Sequence, residues 1–176
     1  MIFINCDSYM KLYPFVNNSA SHMGGVIQTV EHSQGAKDGV TYSMANLSVS
    51  IFNCSFTNNS ASDDGVIGIF STQSPLRIIN CTIDSNTAPQ GGVLALSGSL
   101  TDIINCTIRN NIASLNGGVI VTIYETHINI TTGNSSFNII NTNFTNNSAA
   151  YGGVIAVGGE SFINISKCTI SSNRAH

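Results

Sequence analysis

The chain has 176 residues, of which 42% are hydrophobic and only 9% are charged, and its net charge is −3. This length suits one domain of ordinary size, and the hydrophobic fraction is sufficient for a core, which argues against disorder. So few charges give no basic surface for nucleic acid or for an anionic membrane. No apolar run is long enough to span a bilayer, so we expect no membrane insertion by this segment.

A short sequence pattern recurs along the chain. Its first complete copy covers residues 51–61 and continues at 64–67. Equivalent cysteines follow one another at 27 and then 25 positions, from Cys54 to Cys81 and from Cys81 to Cys106. A fixed period of this length is typical of a solenoid, in which each unit buries its apolar face only against its neighbours.

Within each copy, apolar residues alternate with polar ones, which predicts a β-strand with one buried and one wet face. The buried face is expected to hold Phe52, Cys54, Phe56, Ile79, Cys81, Ile83, Ile104, Cys106 and Ile108. The Gly-Gly-Val-Ile segments predict a second strand, rich in β-branched residues. We therefore expect an all-β, right-handed parallel β-helix of about six coils, with 25 to 27 residues per coil. A leucine-rich-repeat fold is disfavoured because its leucine spacing is missing.

Two polar columns are expected inside this solenoid. Asn recurs at one position and should form a ladder of stacked amides: Asn59, Asn86, Asn111, Asn147 and Asn173. The small Ala two residues later should point inward at a tight corner. Four of the five cysteines fall in the inward column: Cys54, Cys81, Cys106 and Cys168. Because Cβ atoms about 4.8 Å apart lie beyond the usual disulfide range, free thiols are favoured, with disulfides as the alternative.

Two intervals between glycine pairs are longer than the others, which places loop insertions at about 30–46 and 124–136. Residues 1–176 are otherwise expected to form a single β-helix segment. The sequence starts within one copy of the repeat and stops where a Gly-Gly strand is due, with no polar cap at either end. We therefore expect a fragment of a longer solenoid, or a subunit that pairs with copies of itself end to end or side by side.

The paired motifs, Phe or Ile-x-x-Asn and Gly-Gly-Val-Ile, resemble the repeats of chlamydial polymorphic outer-membrane proteins and of their relatives in protists and other eukaryotes. The matching residues cover nearly the whole chain: Phe56 and Asn59 with Gly65, Ile83 and Asn86 with Gly91, Ile108 and Asn111 with Gly117, Phe144 and Asn147 with Gly152. The resemblance implies a surface-displayed β-helix, often adhesive. The chain departs from the bacterial proteins in its many glycosylation sequons and in lacking a visible translocator barrel, which points to a secreted eukaryotic relative.

Eleven Asn-x-Ser/Thr triplets are candidate sites of N-glycosylation. They begin at Asn17, Asn46, Asn53, Asn58, Asn80, Asn105, Asn129, Asn134, Asn143, Asn146 and Asn164. Asn53, Asn80 and Asn105 share one repeat position whose side chain should face solvent. Covalent glycans would supply the solubility that the few charges do not. The alternative is that a chain rich in Asn, Ser and Thr forms such triplets by chance.

The sequence shows no constellation typical of an enzyme, so no catalytic, cofactor-binding or metal-binding residue is assigned. The acidic pair Asp63 and Asp64 is expected to be a solvated turn, and no Cys-x-x-Cys spacing suggests a metal site. The histidines have no partner at triad or metal spacing: His22, His32, His127 and His176. An outward hydroxyl column makes ice binding a minor alternative: Ser55, Thr82, Thr107 and Thr169.

We therefore expect a secreted or cell-surface, N-glycosylated structural or adhesive protein that is not an enzyme, needs no cofactor and binds no nucleic acid. Its partners would be its covalent glycans, copies of itself in a filament or other assembly, or cell-surface glycans. The main alternative is a β-helix that binds or cleaves a polysaccharide, because this fold alone does not determine function.

Overall fold

A computed structural model of the chain describes residues 2–3, 8–11, 14–21, 24–30, 48–70, 75–122, 134–159 and 161–176. Every regular element in these ranges is a β-strand, and the 24 strands fall into six successive groups of four. Each group is one coil of a solenoid. No helix long and apolar enough to cross a membrane occurs among the described residues.

The first three coils supply twelve strands. Coil one consists of β1 (Ile2–Phe3), β2 (Ser8–Lys11), β3 (Pro14–Val16) and β4 (Ser19–Ala20). Coil two consists of β5 (Ile27–Val30), β6 (Val49–Phe52), β7 (Ser55–Thr57) and β8 (Ser60–Ala61). Coil three consists of β9 (Ile67–Phe70), β10 (Pro75–Ile79), β11 (Thr82–Asp84) and β12 (Thr87–Gln90).

The last three coils repeat this order. Coil four consists of β13 (Leu94–Ser97), β14 (Leu100–Ile104), β15 (Thr107–Arg109) and β16 (Ile112–Asn116). Coil five consists of β17 (Ile120–Thr122), β18 (Ser136–Ile140), β19 (Asn143–Thr145) and β20 (Ser148–Ala149). Coil six consists of β21 (Ile155–Ala156), β22 (Phe162–Ser166), β23 (Thr169–Ser171) and β24 (Arg174–Ala175).

Strands at the same place in successive coils pair in parallel and form four sheets of six strands each. Sheet A runs from β1 to β21, sheet B from β2 to β22, sheet C from β3 to β23 and sheet D from β4 to β24, each taking every fourth strand. The register places like on like: Ile78 lies opposite Ile51 in one neighbouring coil and Ile103 in the other. The predicted parallel β-helix of about six coils is thus confirmed.

The hydrophobic core runs along the axis of the solenoid. Sheets A, B and C each direct an inward column of β-branched, Leu or Phe side chains into it. The fully buried members of these columns include Ile67, Leu94, Ile51, Ile78, Ile103, Phe56, Ile83, Ile108 and Phe144. Sheet D contributes the small inward residues Ala61, Ala88, Ala113 and Ala149, as predicted. Each coil therefore covers the apolar face of the next, which no single coil could do for itself.

One part of the predicted strand pattern is wrong. Phe52, Ile79 and Ile104 are only half-buried, and the fully buried positions are one residue earlier, at Ile51, Ile78 and Ile103. The cause is a corner between sheets B and C, where Asn53, Asn80 and Asn105 have φ of 52°, 56° and 56°. A residue in this left-handed conformation turns the chain and shifts the inward side by one position. Strict alternation across the corner therefore fails.

Glycine pairs form the corner between sheets D and A. Gly117 has φ +61°, a conformation that residues with a Cβ rarely adopt. At Gly92, an added Cβ would lie 2.5 Å from the carbonyl oxygen of Gly118 in the next coil. Glycine is thus required at this corner both for the turn and for the close approach of neighbouring backbones.

The expected loop insertions lie largely outside the described residues, which omit 31–47 and 123–133. The sequon residues Asn46 and Asn129 also lie outside them, as do three histidines, His22, His32 and His127.

Candidate functional site

The predicted amide ladder is present at the corner between sheets C and D. Asn59 donates from its backbone N–H at 2.9 Å and from Nδ2 at 3.0 Å to Oδ1 of Asn86. Asn86 in turn donates from Nδ2 to the carbonyl oxygen of Phe56 and to Oδ1 of Asn111, both at 3.0 Å. The same pattern continues through Asn147 to Asn173. Within the described residues the ladder also includes Asn18, which the sequence analysis did not assign to it.

The residue before each ladder asparagine forms the turn. It has a positive φ in every coil: Asn17, Asn58, Ser85, Asn110, Asn146 and Ser172. The ladder residues themselves do not, so the left-handed conformation belongs to their neighbours. Asn is common at such positions because its short amide tolerates this backbone conformation better than most side chains do. The two asparagines of an Asn-Asn pair therefore have different roles, one forming the turn and one joining the ladder.

All nine sequon asparagines within the described residues are exposed: Asn17, Asn53, Asn58, Asn80, Asn105, Asn134, Asn143, Asn146 and Asn164. Most lie at the two corners that flank sheet C. Some of them join short outer rows of amides, in which Asn141 donates to Asn105 at 2.9 Å and Asn164 donates to Asn138 at 3.0 Å. Their exposure meets the requirement of surface access for glycan transfer, and their modification stays a prediction.

The inward cysteine column is a column of free thiols. Cys54, Cys81 and Cys106 are buried and Cys168 is half-buried, and none of the four is in a disulfide. The backbone N–H of Cys54 donates to Sγ of Cys81 at 3.4 Å, and the thiol of Cys106 donates to the carbonyl oxygen of Ile104 at 3.3 Å. The hydrogen bond with Cys81 and then burial raise the pKa of the Cys106 thiol well above its ordinary value. The column is therefore a set of small, satisfied core residues.

Thr142 continues the cysteine column where a cysteine is missing. It is fully buried, accepts a hydrogen bond from the backbone N–H of Cys106 at 3.3 Å, and donates to the carbonyl oxygen of Ile140 at 3.0 Å. The Thr142 hydroxyl thus makes the same two kinds of hydrogen bond that the cysteine thiols make in the other coils. Within the described ranges, no group of three or more His, Cys, Asp or Glu side chains could hold a metal ion.

The acidic pair is not the solvated turn that the sequence suggested. Asp63 is exposed, but Asp64 is only 3% exposed, and its backbone forms a parallel bridge with Gln90 of the next coil. It occupies the position at which other coils carry the first residue of the glycine pair. Because that corner packs closely against its neighbour, the side chain there is covered.

Within the part of the chain that the structure describes, two ion pairs join adjacent coils, and the sequence analysis missed both. Arg109 Nε lies 2.8 Å from Asp84 Oδ2 on the outer face of sheet C, and Arg77 Nε lies 3.5 Å from Asp102 Oδ2 on the outer face of sheet B. The members of each pair are 25 residues apart, which is one repeat period. Aligning the copies would therefore have placed each Arg beside its Asp.

Asp84 is the better satisfied of the two carboxylates. Its Oδ1 accepts hydrogen bonds from Asn110 Nδ2 at 2.8 Å and from Ser85 Oγ at 2.9 Å. Burial favours the neutral acid, but the bonds from Asn110, Ser85 and Arg109 outweigh it and hold the pKa of Asp84 below its ordinary value.

This lowered pKa predicts an acid-dependent loss of stability. Asp84 stabilises the fold fully above its unfolded pKa of about 4, and the contribution is lost as pH falls through the lower folded pKa. In denaturant titrations, wild type should therefore exceed Asp84→Asn in unfolding free energy at pH 7, and the gap should close in strong acid. When Arg109 is replaced by Gln in both proteins, the difference in unfolding free energy caused by Asp84→Asn at pH 7 should become smaller. A gap that is independent of pH would contradict this account.

The outward hydroxyl column of sheet C is not continuous. Ser55, Thr82 and Thr107 lie in register, but Asn143 stands between Thr107 and Thr169. Ser55 is half-buried, and its hydroxyl is 3.2 Å from that of Thr57. Asn143 is itself a candidate glycosylation site. The minor ice-binding alternative therefore rests on a short column with a sequon inside it.

No family model, curated protein or solved structure matches this chain. The fold class is a parallel β-helix solenoid, and the candidate functional features are the exposed sequon corners and the outer face of sheet B.

Proposed function

We propose that this chain is a secreted or cell-surface, N-glycosylated β-helix with a structural or adhesive role and no enzymatic activity. The observation that carries the proposal is the exposure of all nine described sequon asparagines, whereas no ladder asparagine is a sequon and the four in the middle of the ladder are fully buried. The resemblance of the repeats to those of surface-displayed polymorphic outer-membrane proteins supports the same reading.

The mechanism of such a protein is geometric. Backbone hydrogen bonds between coils and the buried amide ladder hold one coil in register with the next, which gives a stiff rod. Glycans on the corners would extend outward from the solenoid, where they would increase solubility and cover the ends of the strands next to these corners. A rod of this kind presents surface to partners and requires no moving part or bound cofactor.

The glycan pattern is the direct test. Because Asn53, Asn80 and Asn105 stack at about 4.8 Å in successive coils, their glycans would touch and we expect incomplete occupancy there. Asn134 precedes β18 outside this stack and should be modified more fully. Intact-glycopeptide mass spectrometry of protein from its native source measures both.

The control for this experiment is Thr82→Ala, which removes the sequon at Asn80 and changes only an exposed side chain. It should raise occupancy at the neighbouring Asn53 and Asn105. If all sequons are bare in the native material, the proposal of a secreted glycoprotein is wrong.

A polysaccharide-cleaving β-helix is the second candidate. It is favoured by the two Asp–Arg pairs on adjacent coils, because a carboxylate can act as a general acid or base while a neighbouring arginine stabilises developing negative charge. Release of new reducing ends from a panel of polysaccharides, abolished by Asp102→Asn or Asp84→Asn, would support cleavage over a purely structural role.

A further inference from the structure

A groove of about 250 Å³ lies on the outer face of sheet B. Three successive coils line it. Its lining consists of Thr101 of β14 and of six residues on the outer face of the sheet, two each from β10, β14 and β18: Pro75, Arg77, Leu100, Asp102, Ser136 and Asn138. The register of the sheet arranges them in two parallel columns, so the groove runs across the coils along the axis of the solenoid. It is separate from the corners that carry most of the sequons.

One column of the groove is polar and has no net charge. Arg77 Nε is 3.5 Å from Asp102 Oδ2, and Asn138 Nδ2 is 3.4 Å from Asp102 Oδ1. Both contacts are long for hydrogen bonds, and the side chains of Arg77 and Asp102 are 59% and 35% exposed. The row therefore offers solvent-accessible donors, acceptors and an amide that does both, without favouring a charged ligand.

The other column supplies apolar surface. Leu100 is 46% exposed, and Phe162 of the last coil is 69% exposed and follows Ser136 in the same column. Sites that bind small ligands combine apolar side chains with a few polar groups that fix the orientation of the ligand. An aromatic ring and a leucine side chain can cover the C–H face of a sugar ring, while the polar row meets its hydroxyl groups.

We propose that this groove binds a neutral saccharide. The inference rests on the adhesive part of the proposed function and names its ligand class. The saccharide has two available sources, a separate oligosaccharide or the chain's own glycan on Asn164. The second source is close at hand, because Asn164 donates from Nδ2 to Oδ1 of Asn138 at 3.0 Å in the polar row.

The binding test uses the unglycosylated 176-residue chain, so that its result does not depend on glycosylation. Cellohexaose, mannohexaose and chitohexaose are titrated by calorimetry, with hexagalacturonate as the acidic comparison. At least one neutral hexasaccharide should bind more tightly than hexagalacturonate. Asn138→Ala or Phe162→Ala should weaken binding by about tenfold, the equivalent of one lost hydrogen bond or stacking contact.

The matched control is Thr107→Ala, an exposed residue on sheet C that should leave affinity unchanged. Circular dichroism of each variant establishes that it is folded. The proposal is overturned if no neutral hexasaccharide binds, if hexagalacturonate binds most tightly, or if folded Asn138→Ala and Phe162→Ala both bind as wild type does. None of these results bears on whether the sequons carry glycans.

A second arm separates the two sources. Glycosylated wild type is compared with Ser166→Ala, which removes the Asn164 sequon and keeps the groove residues. If the chain's own glycan fills the groove, Ser166→Ala should bind the free hexasaccharide more tightly than glycosylated wild type. Equal affinities would show that the Asn164 glycan does not occupy the groove.

Discussion

Replacing Ile108 by Asp should unfold the solenoid. Ile108 has 0% exposure and lies in register between Ile83 and Phe144, so a carboxylate there would be enclosed by apolar side chains of both neighbouring coils. An unpaired buried charge, together with the lost apolar contacts, costs at least ~4 kcal/mol, a large share of the ~5–15 kcal/mol that stabilises a typical domain.

The control for Ile108→Asp comes from the same strand. Thr107 points outward, so Thr107→Ala should change the unfolding free energy by no more than about 0.5 kcal/mol. Ile108→Val, which removes one methylene group, should cost about 1 kcal/mol. Limited proteolysis and denaturant titration measure the series. Equal protease resistance of Ile108→Asp and Thr107→Ala would contradict the assignment of inward and outward positions.

The architecture was predictable because the spacing and the polarity pattern of the repeat determine it. Equivalent residues at a spacing of 25 to 27, with β-branched and polar residues in turn, leave stacked coils as the way to bury one face. The amide ladder was predictable for the same reason, since one Asn recurs at each C–D corner. Asn18 was missed because its coil matches the repeat only in part.

The corner geometry was harder to predict. Hydrophobic alternation alone continues straight through Asn53 and places Phe52 inside, whereas the left-handed backbone at Asn53 shifts the inward position to Ile51. At the corner between sheets C and D, composition alone does not distinguish an asparagine in the turn from one in the ladder. The Asn-Asn pairs at that corner were the available signal, because two adjacent asparagines cannot both face the core.

The polar sites on the outer faces escaped sequence reasoning for a different reason. Asp63 and Asp64 are recognisable as a pair because they are neighbours along the chain, whereas the solenoid also brings together residues one period apart. Arg77 and Asp102 are neighbours only after the coils are aligned in register. Close packing at the glycine corner, which buries Asp64, also depends on the adjacent coil.

Replacing Asn86 by Ala should be nearly as damaging as a buried charge, although the change is between two uncharged residues. Asn86 is fully buried in the middle of the ladder, and its amide makes four hydrogen bonds, two accepted from Asn59 and one donated to each of Phe56 and Asn111. Without it, the backbone N–H of Asn59 and the carbonyl oxygen of Phe56 lose these partners inside the core. We expect a loss of about 3–5 kcal/mol in unfolding free energy.

Two further variants separate the ladder from a general effect of removing an amide. Asn143→Ala removes an exposed asparagine from the outer face of sheet C and should change stability by no more than about 0.5 kcal/mol. Asn86→Asp keeps an acceptor for Asn59 but cannot donate when ionised, and it buries a charge, so it should not rescue the fold at pH 7. Denaturant titration of unglycosylated protein measures all three variants. If Asn86→Ala and Asn143→Ala are equally stable, the amide ladder contributes nothing to the fold, and the backbone pairing between coils must be sufficient by itself.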